Sequence, residues 1–156
     1  LTGWFISILQ RNLIHLLKIS NMYYHESSIR VRYGETDAMG VVYYGIYPLY
    51  YETGRTEMMR HLGFTYRKME EMGIIMPVVS MNCRYLKPAR YDDLLTIKTI
   101  VKDMPETRIL FDYEIYNEEN HLVNAGQTTL VFVDTDKGRP VRIPGFLREV
   151  LEPCFK

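Results

Sequence analysis

From residue 74 onward, apolar and polar side chains alternate. Val79, Met81, Cys83 and Tyr85 are separated by Ser80, Asn82 and Arg84. Leu95, Ile97, Thr99 and Val101 alternate with Thr96, Lys98 and Lys102, and Ile109, Phe111, Tyr113 and Ile115 with Asp112 and Glu114. A period of two sends successive side chains to opposite faces, so these runs are predicted as half-buried antiparallel strands. Leu122 to Val133 reads as a further strand and Val141 to Ile143 as a short one. Turns are predicted where polar breakers cluster, at 102–106, 117–120 and 134–140.

Earlier in the chain the period is helical. Tyr47, Tyr51, Gly54, Met58 and Leu62 share one face of a helix predicted over Tyr47 to Leu62, with Pro48 at its start and Gly63 as its left-handed terminator. Gly54 in mid-helix costs about 1 kcal/mol relative to alanine, a cost that close approach of the helix backbone to a sheet would offset. A shorter helix, Tyr66 to Met72, is predicted to stop at Gly73. Pro144 to Leu151 reads as a closing helix or turn, and Ile29 to Tyr33 as a strand ahead of the long helix. One long helix with five or six strands makes an α+β domain.

Residues 1–21 do not fit this scheme. Trp4 to Leu9 is apolar, but Gln10-Arg11-Asn12 interrupts the run before Leu13 to Ile19 resumes. Neither piece approaches the ~18 residues of a membrane span. With no basic start and no small-residue cleavage site, a signal peptide is not predicted either. Two readings stand: an upstream extension, with the protein proper starting at Met22, or an amphipathic helix presenting Phe5, Ile8, Leu9, Leu13, Leu16 and Leu17. The remainder, 22–156, is one domain by length.

Charge and cysteine content narrow the function classes. Nineteen basic and nineteen acidic residues give a formal net charge of zero, with no basic stripe to neutralise a phosphate backbone, so nucleic acid is not an expected partner. Cys83 and Cys154 fit neither a disulfide framework nor a metal or redox spacing, and a reducing cytoplasm is the simplest compartment for them. Cys83 reads as a small buried hydrophobe rather than a nucleophile. His15, His25 and His121 have no metal-ligand or triad spacing, and His61 is expected to meet the last carbonyls of the long helix.

The segment from Val31 to Arg55 carries the chemistry. Asp37 falls in a turn between a strand and the long helix, and the N–H groups between Gly40 and Ile46 lie near the positive end of that helix, where a developing oxyanion is favoured. A carboxylate beside an oxyanion site can run acyl transfer or hydrolysis. The plainer role for Asp37 is an Asx-turn or an N-cap, but the helix begins about ten residues on, too far for capping. Glu52 and Arg55, at i and i+3, read as a surface ion pair worth a few tenths of a kcal/mol.

The order strand, Asp37-Ala-Met-Gly-Val-Val-Tyr43, then a helix with Tyr50-Tyr-Glu-Thr-Gly-Arg55, resembles the hotdog-fold acyl-CoA thioesterases of the 4-hydroxybenzoyl-CoA thioesterase and Tol-Pal-associated types. The likeness runs from about Ser28 to about Glu152. It takes in Arg55 to Gly63, Tyr85-Leu-Lys-Pro-Ala-Arg-Tyr-Asp-Asp93 and Gly126 to Asp134, although only the first motif is specific.

The resemblance implies a hotdog fold, with an antiparallel sheet wrapped around one long helix. It implies hydrolysis of an acyl-CoA thioester to free acid and coenzyme A without metal or redox cofactor, in a homodimer or homotetramer whose paired subunits cover the sheet edges. Asp37 would act as general base or as nucleophile. Tyr44 stands where some relatives carry histidine, so its backbone N–H becomes the donor to the thioester oxygen. Glu52 is a secondary candidate to orient water, and Arg55 a candidate for the subunit interface. Gly40, Val42, Tyr43 and Tyr47 would line the substrate pocket, while Lys87 and Arg90 would meet the phosphates of coenzyme A. Tyr43, Tyr44, Tyr47, Tyr50 and Tyr51 point to an aromatic wall. The rival readings are a non-catalytic acyl-CoA-binding module and a hotdog dehydratase or hydratase; the latter is disfavoured because no histidine lies between Val31 and Arg60. The acyl group stays open.

Overall fold

A computed structural model describes residues 22–155. Both readings of residues 1–21 therefore lie outside the described residues. The long helix, α1 (Tyr47–His61), carries Pro48 in its first turn and ends at Leu62, with Gly63 at φ 88°. It buries Tyr47, Tyr50, Tyr51, Gly54, Arg55, Met58 and Met59. That face packs on β1 (Tyr23–Arg30), β4 (Leu94–Val101) and β5 (Arg108–Tyr116). The sheet continues through β6 (Leu122–Val131) to β3 (Val78–Tyr85), in the order β1-β4-β5-β6-β3, antiparallel at every pairing.

The predicted period holds where both neighbours of a strand are present. Leu95, Ile97, Thr99 and Val101 of β4 are all buried, as are Ile109, Phe111, Tyr113 and Ile115 of β5. Between them they form the floor on which α1 lies. A Cβ built on Gly54 would stand 2.5 Å from Thr99 Oγ1 and 2.7 Å from Ile97 Cγ2, so helix backbone and sheet touch at that point as the mid-helix glycine predicts. Overpacking of this kind costs about 1–3 kcal/mol, more than the helix propensity alanine gains. Gly54→Ala is therefore expected to lower the urea midpoint without changing the slope of the transition, and an unchanged or higher midpoint would show that the contact gives way freely.

Several boundaries differ from those the pattern predicts. The first strand runs from Tyr23 to Arg30 rather than from Ile29 to Tyr33, because pairing with β4 extends from Tyr23 opposite Val101 to Arg30 opposite Leu94. Tyr33–Glu35 is instead a 3-10 turn. The strand predicted over Leu122 to Val133 breaks at Phe132, whose N–H turns to the carbonyl of Thr107 at 3.1 Å. Beyond the break lies β7 (Val133–Asp134), which pairs both with β2 (Ile74–Ile75) and with β8 (Arg139–Pro140). The short strand predicted at Val141 to Ile143 thus falls two residues earlier, as one arm of the hairpin that reverses at Gly138. Two further helices, α2 (Tyr66–Glu71) and α3 (Gly145–Leu151), close the core, α2 with Thr65 capping the Lys68 N–H at 3.1 Å.

β3 departs most from its predicted burial. Among the described residues it pairs only with β6, and Val78, Val79, Met81 and Tyr85 are all exposed. A strand with apolar residues and an open edge is a template for pairing with another chain.

Candidate active site

The segment between Glu35 and Tyr43 is a small hairpin. The Tyr43 N–H donates to the Glu35 carbonyl at 2.9 Å, Thr36 and Val42 form a bridge, and the Asp37 N–H donates to the Val41 carbonyl at 2.9 Å. Gly40 turns the chain at φ 75°, a conformation only glycine adopts without strain. Val42, 5% exposed, ties the hairpin to the core through its N–H, which donates to Ala89 at 2.8 Å.

At the tip, Asp37 Oδ1 accepts the Met39 N–H at 2.8 Å and the Val41 N–H at 3.5 Å. This is the Asx-turn that the plain reading predicts. It engages one carboxylate oxygen; among the described residues Oδ2 has no hydrogen-bonding partner. The chain then enters a 3-10 turn, Tyr44–Ile46, that runs directly into α1. The N–H of Tyr44, first residue of that turn, meets no acceptor among the described residues, as expected of the leading donors of a helical segment.

Asp37 and Tyr44 line one cleft of about 330 Å³. Its walls come from three pieces of chain: Met39, Val41 and Val42 of the hairpin, Tyr47 at the start of α1, and Tyr85 to Pro88 where β3 ends. Tyr85 was not anticipated from the sequence, where it reads only as an inward-facing strand residue. Its hydroxyl donates to the Tyr44 carbonyl at 3.2 Å, and its ring meets those of Tyr44 and Tyr47 edge-on. Burial pushes the Tyr47 phenol up to about 12, with the nearby Cys83 adding to the effect. Interaction with the nearby Cys83, and then burial, raise Tyr85 to about 12 as well. Both phenols are therefore neutral hydrogen-bond donors at physiological pH.

The remaining predicted residues divide. Lys87 lines the cleft. Arg90 is exposed and lies beside the hairpin, its guanidinium 3.8 Å from a Cβ built on Gly40. Tyr43 is exposed and packs its ring against that of Tyr44 at 4.5 Å. Glu52 is not brought to the cleft within one chain; with Arg55, Thr56, Tyr66, Glu70 and Met76 it lines a separate cavity. Arg55 is not the surface residue its spacing predicts. Its side chain is 10% exposed, set among Tyr66 and Met76 in that cavity, and it lies 3.6 Å from the exposed Glu52. Nor does His61 meet the helix carbonyls: its ring stacks on His25 at 4.7 Å. Cys83 is half-buried rather than buried, and its sulfur accepts from Asn124 Nδ2 at 3.3 Å beside the Tyr51 hydroxyl at 3.2 Å.

An antiparallel sheet around one long helix, with a cleft at the helix start lined by a carboxylate residue and by a residue whose N–H has no acceptor among the described residues, defines a hotdog-fold protein of the thioesterase class. The chain belongs to the thioesterase-like superfamily, whose family model matches residues 31–151. It is 40% identical over 116 residues to the acyl-CoA thioester hydrolase YbgC of Escherichia coli O6:H1, covering 74% of this chain and 87% of that protein. It is 35% identical over 121 residues to the putative acyl-CoA thioesterase YneP of Bacillus subtilis, covering 78% and 88%. Among solved structures, a DHNA-CoA thioesterase from Staphylococcus aureus superposes with a TM-score of 0.79 at 35% identity, over 83% of this chain and 89% of that one.

Proposed function

We propose that the chain hydrolyses acyl-CoA thioesters to a free acid and coenzyme A. The observation that carries this reading is the shared cleft, lined both by Asp37, one of whose carboxylate oxygens is unengaged among the described residues, and by Tyr44, whose N–H is likewise unengaged there. Water is the only co-reactant such chemistry needs. The thioester carbonyl would take the Tyr44 N–H, which favours the charge that develops on oxygen in the tetrahedral transition state. Asp37 Oδ2 would either deprotonate a water that attacks the carbonyl carbon, or attack it directly to form a mixed anhydride that water then opens. Lys87 at the cleft wall suits the phosphates of coenzyme A, with Arg90 beside the hairpin. Glu52 would reach a substrate only across a subunit boundary.

The apolar edge of β3 supports a homodimer, or a homotetramer built from such dimers, in which two such strands pair. Met81→Lys is expected to shift the protein toward the monomer by sedimentation velocity at micromolar concentration; an unchanged dimer would place the interface elsewhere. No described helix is long and apolar enough to cross a membrane. Two free cysteines suit a reducing cytoplasm.

Release of free thiol from a panel of aryl, short-chain and long-chain acyl-CoAs tests the reading. Turnover of at least one class is expected. Tight binding of acyl-CoA with no thiol released by any of them would instead favour a binding module.

A further inference from the structure

We propose that Glu35 is a positioning residue for thioester hydrolysis, because its side chain fastens the hairpin that carries Asp37 and leads to Tyr44 onto the Tyr50 hydroxyl of α1. The inference rests on the reading of Asp37 and Tyr44 given above.

Glu35 is an anionic residue only 5% exposed. A carboxylate removed from water is costly unless its lone pairs are filled, and here both oxygens are engaged. Oε1 accepts from Arg32 Nε at 2.8 Å and Nη2 at 2.6 Å, and Oε2 accepts from the Arg32 N–H at 2.8 Å and from Tyr50 Oη at 2.8 Å. Burial works to raise the Glu35 carboxyl, but the bonds from Arg32 and Tyr50 outweigh it and hold the group below its ordinary value of 4.5. It is therefore ionised at neutral pH. The contribution to stability is complete above that ordinary value and is lost as pH falls through the lowered one.

The three bonds from Arg32 are local and close the 3-10 turn. The bond from Tyr50 is different, since it spans fifteen residues of chain and joins the turn to the helix. Tyr50 is 1% exposed and meets the ring of Tyr47, a wall of the cleft, edge-on at 5.8 Å. On its backbone side, Glu35 accepts the Tyr43 N–H and so forms the base rung of the hairpin. Asp37 stands two residues up one arm, and the free Tyr44 N–H one residue beyond the other. A rotation of the base against α1 would move carboxylate and donor away from a thioester bound against Tyr47. Misplacement of about 1 Å costs on the order of 100-fold in rate.

The test is steady-state hydrolysis, at a temperature well below unfolding, by Glu35→Gln, Tyr50→Phe, the double variant and Asp37→Asn, with the acyl-CoA that the unaltered protein turns over fastest. Each of the first two is expected to lower kcat by about 10- to 100-fold with KM changed by less than about threefold, and the double variant to be no slower than the slower single, since both changes cut one link. Folded single variants with kcat within about twofold of the parent, or losses that multiply in the double variant, would overturn the proposal. If Glu35→Gln does not fold, Tyr50→Phe decides alone, because it keeps the buried ring and the Arg32–Glu35 pair. Full activity in Asp37→Asn would overturn the parent reading; an inactive Asp37→Asn beside fully active Glu35→Gln and Tyr50→Phe would overturn only the positioning role.

Discussion

Asp37→Asn is expected to keep the fold and to lose about two or more orders of magnitude in kcat, the scale of a general acid or base. The structure explains why the two effects separate. Asn retains a side-chain carbonyl that can accept the Met39 N–H, now bonded to Oδ1 at 2.8 Å, so the turn survives. What is lost is the charge on the second oxygen, which takes no part in the turn. Thiol release with the best acyl-CoA, together with a thermal melt of the same preparation, checks both halves. If Asp37 serves only the Asx-turn, Asn replaces it without cost and the rate stays near that of the parent.

A paired substitution at Tyr44 carries the other large effect. Tyr44→Phe removes a hydroxyl from an exposed ring and leaves the backbone N–H, and the carbonyl that takes the Tyr85 hydroxyl, in place. It is expected to keep most of the activity. Tyr44→Pro deletes the donor itself and is expected to cost roughly 3 to 4 kcal/mol of transition-state stabilisation, about 10² to 10³ in kcat. Proline also restricts φ at the start of the 3-10 turn, so that figure bounds the donor's share from above. Single-turnover rates for the two variants distinguish the roles. A Phe variant as slow as Asp37→Asn would transfer the role to the phenol.

Much of the cleft was legible in the sequence because it is local. Asp37, Val42, Tyr44 and Tyr47 lie within eleven residues, and a turn leading into a helix brings them together on one cleft. Tyr85 was not legible as a cleft residue, since strand alternation says which face a side chain takes and not which loop stands over that face. Glu35 carried a faint signal, spaced three residues from Arg32, but an exposed pair has the same spacing. Only the Tyr50 hydroxyl, fifteen residues away, makes it a link between elements.

The sequence by itself determined the periods: two from β3 to β6, helical from Tyr47 to His61, with glycines where the helix stops and where its backbone meets the sheet. These are near-neighbour properties, set by where each side chain must point. Tertiary structure alone decided the length of β1, whose inward positions His25 and Ser27 are too polar to announce a strand and which exists through its ladder with β4. It also decided that Arg55 is buried while Glu52 is not, and that β3 is an edge. Burial and edge status depend on what lies across the sheet, and no spacing within a single strand or helix encodes that.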